Sequence, residues 1–247
     1  MKAQLARLFN RKPRILCLVP HYFGQQSAFV GKSTRSGLEQ RQAIVKQTLQ
    51  QLNTLPHCEV KACGIEGQSA IVLDWLFDCP DPRLLVYEVI YALEKKLPDY
   101  DYFMVVEDDI LVPAATVHNI LAFDRHHPKH YCLHPNRLEI DRQGKKCIDL
   151  LAMPGWLDAT LTFHGKTLQT AVNPHSAFMM LSRAKLAMAL SQIDTTFKGI
   201  IVGGYMASAF AHIHSPFQLF RCRDDLDFHH VIHLDHWLNP EDLALPA

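Results

Sequence analysis

The stretch Tyr102-Phe103-Met104-Val105-Val106-Glu107-Asp108-Asp109-Ile110 decides how this chain is read. A short run of aromatic, aliphatic and β-branched residues predicts a strand buried on both faces, as in the middle of a parallel sheet. Three acids follow without a break. Carboxylates at the end of a buried strand are costly unless they meet water or a cation, because desolvation and mutual repulsion both oppose their ionisation. If the strand continues, its period of two puts Glu107 and Asp109 on one side. Their oxygens would then converge on one hard divalent ion, Mg²⁺ or Mn²⁺, at the carboxyl edge of the sheet, where open α/β sheets bind ligands. The alternative is a solvated acidic turn whose charges favour the N-terminus of the next helix.

Working outward, short apolar runs alternate with helical patterns. Arg14–Val19 predicts a buried parallel strand ending at Pro20. Leu38, Val45, Leu49 and Leu52 recur at helical spacing, and residues 59–65 predict a second strand. Leu85, Val89, Ala92/Leu93 and Leu97 predict a helix stopped by Pro98, and a further helix follows Pro113 over 115–125. In the second half, residues 147–151, 171–172 and 178–181 predict strands, with helices over 183–190 and 205–211. This alternation predicts an α/β fold, a mixed, mostly parallel sheet flanked by helices. No linker-like composition interrupts the chain, so one domain over 1–247 is expected.

Composition narrows the function. The 247 residues carry 25 basic and 25 acidic side chains, so no net field recruits nucleic acid or an anionic membrane. Neither a signal-type apolar core nor a window of about 18 apolar residues is present. The 7 cysteines are scattered, odd in number and never spaced as Cys-x-x-Cys, which predicts reduced core thiols and a cytoplasmic protein. Histidine is abundant, at 15 residues, and is dense in the C-terminal segment Asp225-Leu-Asp-Phe-His-His-Val-Ile-His-Leu-Asp-His-Trp237. In a strand His233 and Asp235 would share a face; in a helix His229, His233 and His236 would. Gly31-Lys32-Ser33 imitates the end of a P-loop, but six residues separate Gly24 from Gly31 where a P-loop has four. An NTPase is not the reading.

Asp99-Tyr-Asp-Tyr-Phe-Met-Val-Val-Glu-Asp-Asp-Ile-Leu-Val-Pro113 resembles the acidic metal motif of GT-A nucleotide-sugar glycosyltransferases, in a Glu-Asp-Asp variant of Asp-x-Asp. Arg14-Ile-Leu-Cys-Leu-Val-Pro20 resembles the first strand of that family and residues 41–52 the helix after it. Asn173-Pro-His-Ser-Ala-Phe-Met-Met-Leu-Ser-Arg-Ala-Lys-Leu186 resembles its later strand and helix near the acceptor. The likeness implies a nucleotide-sugar-binding half over 14–110, and an acceptor half with a C-terminal segment over 111–247. It implies Asp109 as direct metal ligand and catalytic centre, Glu107 at the donor ribose or the metal's water shell, and Asp108 as a secondary contact. A further ligand from the C-terminus would be His233 or Asp235, with His236 in reserve.

Tyr22 is placed to stack on a base and Arg35 to meet a phosphate. His175 or Ser176 would face a sugar hydroxyl, and Trp156 the acceptor. Inverting members of the family place a base carboxylate before a small-residue helix. The comparable stretch here, residues 203–210, has no acid, which leaves Asp158, Asp194 or Asp224 as substitutes. The implied activity is metal-dependent transfer of a sugar from a nucleotide-sugar donor to a hydroxyl on a glycan, lipid or small molecule, with possible peripheral membrane contact and no nucleic acid. Two other classes compete: a metal-dependent phosphoester hydrolase built from the acids and the C-terminal histidines, and a non-catalytic sugar-nucleotide-binding relative.

Overall fold

A computed structural model describes residues 12–24, 37–140, 146–148 and 156–234. Its centre is a five-stranded sheet. Strand β1 (Ile15–His21) lies in the middle, parallel to β2 (Cys58–Gly64) on one side and to β4 (Tyr102–Val106) on the other. Short β3 (Trp75–Leu76) extends it in parallel beyond β2, and β11 (Phe178–Ser182) closes the far side antiparallel to β4. The expected mixed, mostly parallel sheet between helices is therefore what forms.

Alternation of side chains explains why these runs are apolar throughout. Leu16, Leu18, Phe103, Val105, Met179 and Leu181 point into one core, against helices α2 (Leu85–Ala92), α4 (Arg183–Gln192) and α5 (Tyr205–His214). Ile15, Cys17, Val19, Met104, Val106, Phe178 and Met180 point into the other, which includes Leu52 of α1 (Leu38–Leu52) and Val117, Ile120 and Phe123 of α3 (Ala114–His126). With both faces covered, a polar residue inside these strands would lose its water.

Two four-stranded sheets flank this centre, and most of their strands carried no clear signal in the sequence. One orders β6 (Tyr131–Leu133), β12 (Gln218–Cys222), β10 (Lys166–Ala171) and β9 (Trp156–Phe163). The other orders β5 (Ile110–Leu111), β13 (His230–His233), β7 (Asn136–Ile140) and β8 (Lys146–Ile148). The strand expected at 171–172 is in fact the end of β10, which stops at Ala171, and Trp156 opens β9. The helix expected to run from Leu85 to Leu97 tightens to a 3₁₀ turn at Leu93–Lys96.

The buried stripe of α1 is Arg41, Val45, Thr48 and Leu52, not the stripe starting at Leu38, which is 49% exposed. No helix among the described residues is long and apolar enough to cross a membrane. Among the described residues Cys17, Cys63, Cys79, Cys132 and Cys222 are buried free thiols, and Cys58 is a half-buried one.

Candidate functional site

Because β1, β2 and β4 run parallel, their carboxyl ends share one edge, and the antiparallel β11 begins there. His21, Gly64, the acids 107–109 and the loop 173–177 are brought together on this edge. At Gly64 a Cβ would stand 2.4 Å from the His21 carbonyl oxygen, so only glycine allows the two strand ends to approach this closely.

Glu107 and Asp109 do not share a strand face as expected. The strand ends at Val106, and 107–110 is a turn in which the Ile110 N–H donates to the Glu107 carbonyl (3.2 Å). The turn sends the three carboxylates to different partners, although all three are buried, at 5%, 3% and 0% exposure. Asp108 accepts from the Arg41 guanidinium and from His21 Nδ1 (2.6 Å). The Ala70 N–H donates to His21 Nε2 (3.0 Å), which fixes the tautomer: Nε2 carries the lone pair and Nδ1 the proton that points at Asp108. Arg41 also reaches Asp109 Oδ2 at 3.3 Å. Burial pulls the pKa of Arg41 down, but Asp108 and Asp109 outweigh it and hold the guanidinium above its ordinary value.

Asp109 faces the C-terminal segment. β13 pairs antiparallel with β5, placing His233 opposite Ile110, and the Leu234 N–H donates to the Asp109 carbonyl (2.8 Å). His233 Nε2 thereby stands 3.7 Å from Asp109 Oδ2. On its other side His233 Nδ1 meets Glu139 Oε2 at 2.9 Å, and Arg137 Nε bonds the other oxygen of Glu139 at 3.0 Å. Burial lowers the pKa of His233 and Arg137 adds to this. Asp109 and Glu139 prevail and raise it above the ordinary histidine value. Thr116 and Asn119 of α3 anchor the segment through the carbonyls of His230 (2.6 Å) and Phe228 (2.9 Å).

Glu107 turns the other way. With Asp108 it lines a small hollow of about 30 Å³ walled by Pro20, Tyr22, Leu85 and Met206. A larger hollow of about 430 Å³ lies along the same edge past β2 and β3, lined by Glu66, Gln68 and Asp78 among others. Tyr22 is 8% exposed at the small hollow, and the next residue's N–H, on Phe23, bonds the Gln68 carbonyl (2.9 Å). His175 Nε2 lies 3.5 Å from Glu107 Oε1. The loop that delivers it is tightly held: Asn173 Oδ1 accepts from the His175 N–H (2.8 Å), and buried Arg221 donates to the His175 carbonyl (2.8 Å). The Ala177 carbonyl accepts from the Glu107 N–H (3.0 Å), with Ala177 at φ +55°, a left-handed conformation that costs an alanine about 1–2 kcal/mol.

Behind Arg221 lie His134, His214 and His229, all buried. The rings of His134 and His214 are 5.0 Å apart. Burial, reinforced by Arg221, pushes His134 well below its ordinary pKa. Burial likewise brings His214 to about 4 and His229 to about 3.

Of the other expected residues, Arg35 and Asp235 lie outside the described residues, as does His236. Asp158 and Asp224 are exposed. Asp194 is exposed too, and its carboxylate is used in a turn, accepting from the Thr196 N–H (2.9 Å) and hydroxyl (2.6 Å). Neither Asp158 nor Asp194 bonds to the acidic turn. Trp156 lies under Arg223, whose guanidinium carbon is 5.9 Å from the ring centre. Sequence reasoning missed His21, Arg41, Glu139 and Arg221. Arg41 alone left a trace, as a cation on the apolar stripe of a helix.

The donor chemistry bears on the expected metal. Among the described residues, no group of three or more His, Cys, Asp and Glu side chains surrounds one ion position. Asp108 is committed to Arg41 and His21. Asp109 Oδ2, which Arg41 also meets at 3.3 Å, faces His233 Nε2 at 3.7 Å, slightly wider than the roughly 3 Å between adjacent ligands of an octahedral ion. The far nitrogen of His233 meets both Glu139 (2.9 Å), in the place of the outer-shell carboxylate of a ligating histidine, and Arg137 Nη2 (3.2 Å). A carboxylate and an imidazole are two groups that could hold a metal, and the pair suits Mn²⁺ better than Mg²⁺.

No protein-family model matches the chain, and no curated protein matches it in sequence. Among solved structures it is similar to a glycosyltransferase involved in the glycosylation of the major capsid of PBCV-1, at 7% identity over 90% of this chain and 93% of that one (TM-score 0.41). It is also similar to 4-diphosphocytidyl-2C-methyl-D-erythritol synthase, at 12% identity over 94% and 96% (TM-score 0.41). A third is mannose-1-phosphate geranyltransferase from Thermus thermophilus, at 9% identity over 86% and 74% (TM-score 0.47). Likeness of this size does not fix a chemistry.

Proposed function

We propose that the protein is a glycosyltransferase that moves a sugar from a nucleotide-sugar donor to a hydroxyl on a glycan, lipid or small molecule. One observation carries the reading. A histidine from the C-terminal segment stands 3.7 Å from the last acid of the strand-end triple, at the carboxyl edge of a parallel sheet and beside a hollow lined by the other two acids.

Asp109 and His233 would hold Mn²⁺ or Mg²⁺, with Asp235 a third donor two residues further on. Such an ion, when bound, offsets the negative charge that builds on a departing nucleoside diphosphate. The chain's own groups prepare for this. Arg41 pairs with Asp108 and Asp109 in a buried setting, and His21 fixes the orientation of Asp108. Glu139 fixes His233 with Nε2 toward Asp109. The larger hollow is of the size that takes a small-molecule ligand, and Tyr22, which lines the small one, would stack on the base. Arg35 would meet a phosphate.

The test is thermal stabilisation by UDP, GDP, CDP and their common sugar esters, with and without Mn²⁺. A diphosphate that raises the melting temperature only with Mn²⁺, and fails to do so in Asp109→Asn and in His233→Gln, supports the reading. Slow Mn²⁺-dependent hydrolysis of the matching nucleotide-sugar separates an enzyme from a binding-only relative. No nucleotide effect, together with metal-dependent turnover of p-nitrophenyl phosphate, replaces it with a phosphoester hydrolase.

A further inference from the structure

The stretch Ile71-Val-Leu-Asp-Trp-Leu-Phe77 is apolar except for its central acid, yet it forms the rim of the central sheet. It runs through β3, which pairs with β2 on one side and with no other strand among the described residues. Exposure alternates along it with the strand period. Ile71, Leu73, Trp75 and Phe77 are half-buried, and Trp75 and Phe77 pack on the core that contains α2. Val72, Asp74 and Leu76 face out, with Val72 93% and Leu76 60% exposed. The acid between them is engaged, since Asp74 Oδ2 accepts from the Ala62 N–H (2.8 Å).

Helix α1 continues this surface. Gln42 Nε2 donates to the Ala70 carbonyl (2.7 Å), which seats the helix against the start of the segment. Leu38, Gln42 and Lys46 are four residues apart and share one stripe of α1, so the exposed Leu38 and Lys46 flank that contact. Leu38, Val72 and Leu76 are half of the six large apolar side chains exposed among the described residues, and they gather along one margin. Single exposed apolar residues are ordinary, whereas a gathered set marks an interaction surface. On the α2 side, Lys96 Nζ lies over the Trp75 ring, 5.3 Å from its centre, and neighbouring Lys95 is exposed.

We propose that this margin docks on a lipid bilayer, with Val72 and Leu76 entering the interface and Lys46, Lys95 and Lys96 at the headgroups. The side chains suit that place: aliphatic tips, a tryptophan at the boundary, and lysines whose stems lie on apolar surface while their charges stay in water. A neutral chain is no obstacle, because inserted apolar area supplies the binding and nearby lysines add to it. A second copy of the chain fits less well. A stable dimer takes roughly 800 Å² and 20–30 residues from each partner, more than a seven-residue rim and one helical stripe offer. The two-residue β3 is too short to seed pairing between sheets. A two-fold axis at the centre of the segment would also set Asp74 against Asp74. Leu76 and Phe77 line the larger hollow as well, so a docked bilayer lies beside it. The docking stands on these residues and assumes nothing about the chemistry.

Sedimentation with vesicles of phosphatidylcholine and phosphatidylglycerol tests it with no donor or metal present. Wild type is expected to bind at about 0.15 M salt and to keep most of its binding at about 0.5 M, where surface charge is largely screened. Val72→Asp is expected to lower the partition coefficient by about tenfold or more, because a charge replaces an inserted aliphatic group. Ile200→Asp, at an exposed apolar residue of a different loop, is expected to change it by less than about twofold. Bromine-labelled lipids are expected to quench tryptophan fluorescence, and Trp75→Phe to remove most of that quenching.

No binding to vesicles, binding that vanishes at the higher salt, or a Val72→Asp protein that binds like wild type overturns the proposal. So does a dimer in sedimentation velocity that Val72→Asp dissociates, which would make a second copy the occupant. The thermal-shift panel of nucleotides uses no vesicles, so a failed transferase reading and a failed docking surface are told apart.

Discussion

The acidic turn 107–109 and the histidine cluster 134, 214 and 229 bury polar groups in opposite ways. In the turn the carboxylates are paired. Arg41 supplies a cationic partner to two of them, His233 stands 3.7 Å from Asp109, and the third carboxylate faces a hollow. In the cluster the charges are removed, since burial beside Arg221 drives the rings to their neutral form. A buried group that stays ionised needs a counter-charge nearby and can exchange it for a ligand. A buried group that goes neutral needs none, and it contributes to stability only where it remains neutral. The first region is therefore where chemistry is expected and the second where pH sensitivity is expected.

The strongest way to break this contrast is Arg41→Ala. It leaves two buried carboxylates short of their cation, and a loss of about 3–5 kcal/mol in urea unfolding is expected. A change under about 1 kcal/mol would mean the turn is not held by pairing.

The cluster predicts the next largest effect. The folded-state pKa values of His214 and His229, about 4 and about 3, lie below the ordinary 6.5. The unfolded chain therefore binds more protons between these values, and stability is full above about pH 6.5 and falls as pH drops. For His214 alone the loss is on the order of 3 kcal/mol by pH 4. Unfolding free energies measured from pH 7 to 4 should show this slope, and His214→Gln should flatten part of it. A flat wild-type profile would remove the contrast from the other side.

Ser208 offers a neutral comparison. Its hydroxyl receives the Ile201 and Val202 N–H groups (2.8 and 3.0 Å) and donates to the Val202 carbonyl (2.9 Å). Ser208→Ala should cost about 2 kcal/mol with no pH dependence. Smallest of all, Asp194→Ala and Asp158→Asn should leave nucleotide-sugar hydrolysis within twofold of wild type. A large loss in either would move the catalytic carboxylate away from the turn.

Much of the central sheet was legible because its strands are buried on both faces and read as unbroken apolar runs. Val105-Val106 followed by three acids marked both the strand and its edge. The flanking sheets were harder to see: β9 and β13 are short or half-exposed and mix Thr, Asp and His with apolar residues, so neither period dominates. Strand alternation put His233 on one face with Asp235 and left the choice between them open; the contact of His233 with Asp109 depends on β13 pairing with β5. Arg41 is the instructive omission. It occupies the buried stripe with Val45, Thr48 and Leu52, a place where a cation makes sense only if carboxylates wait across the interface.

By itself the sequence determined the layered α/β plan and the placing of three acids at a sheet edge, because burial on two faces and on one helical stripe leaves a periodic trace along the chain. Tertiary structure alone decided which partner each acid meets: the turn at 107–110 parts their side chains, and their companions come from β1, α1, β13 and the 173–177 loop. Such contacts join residues far apart in the chain, and no local pattern encodes a distance across space.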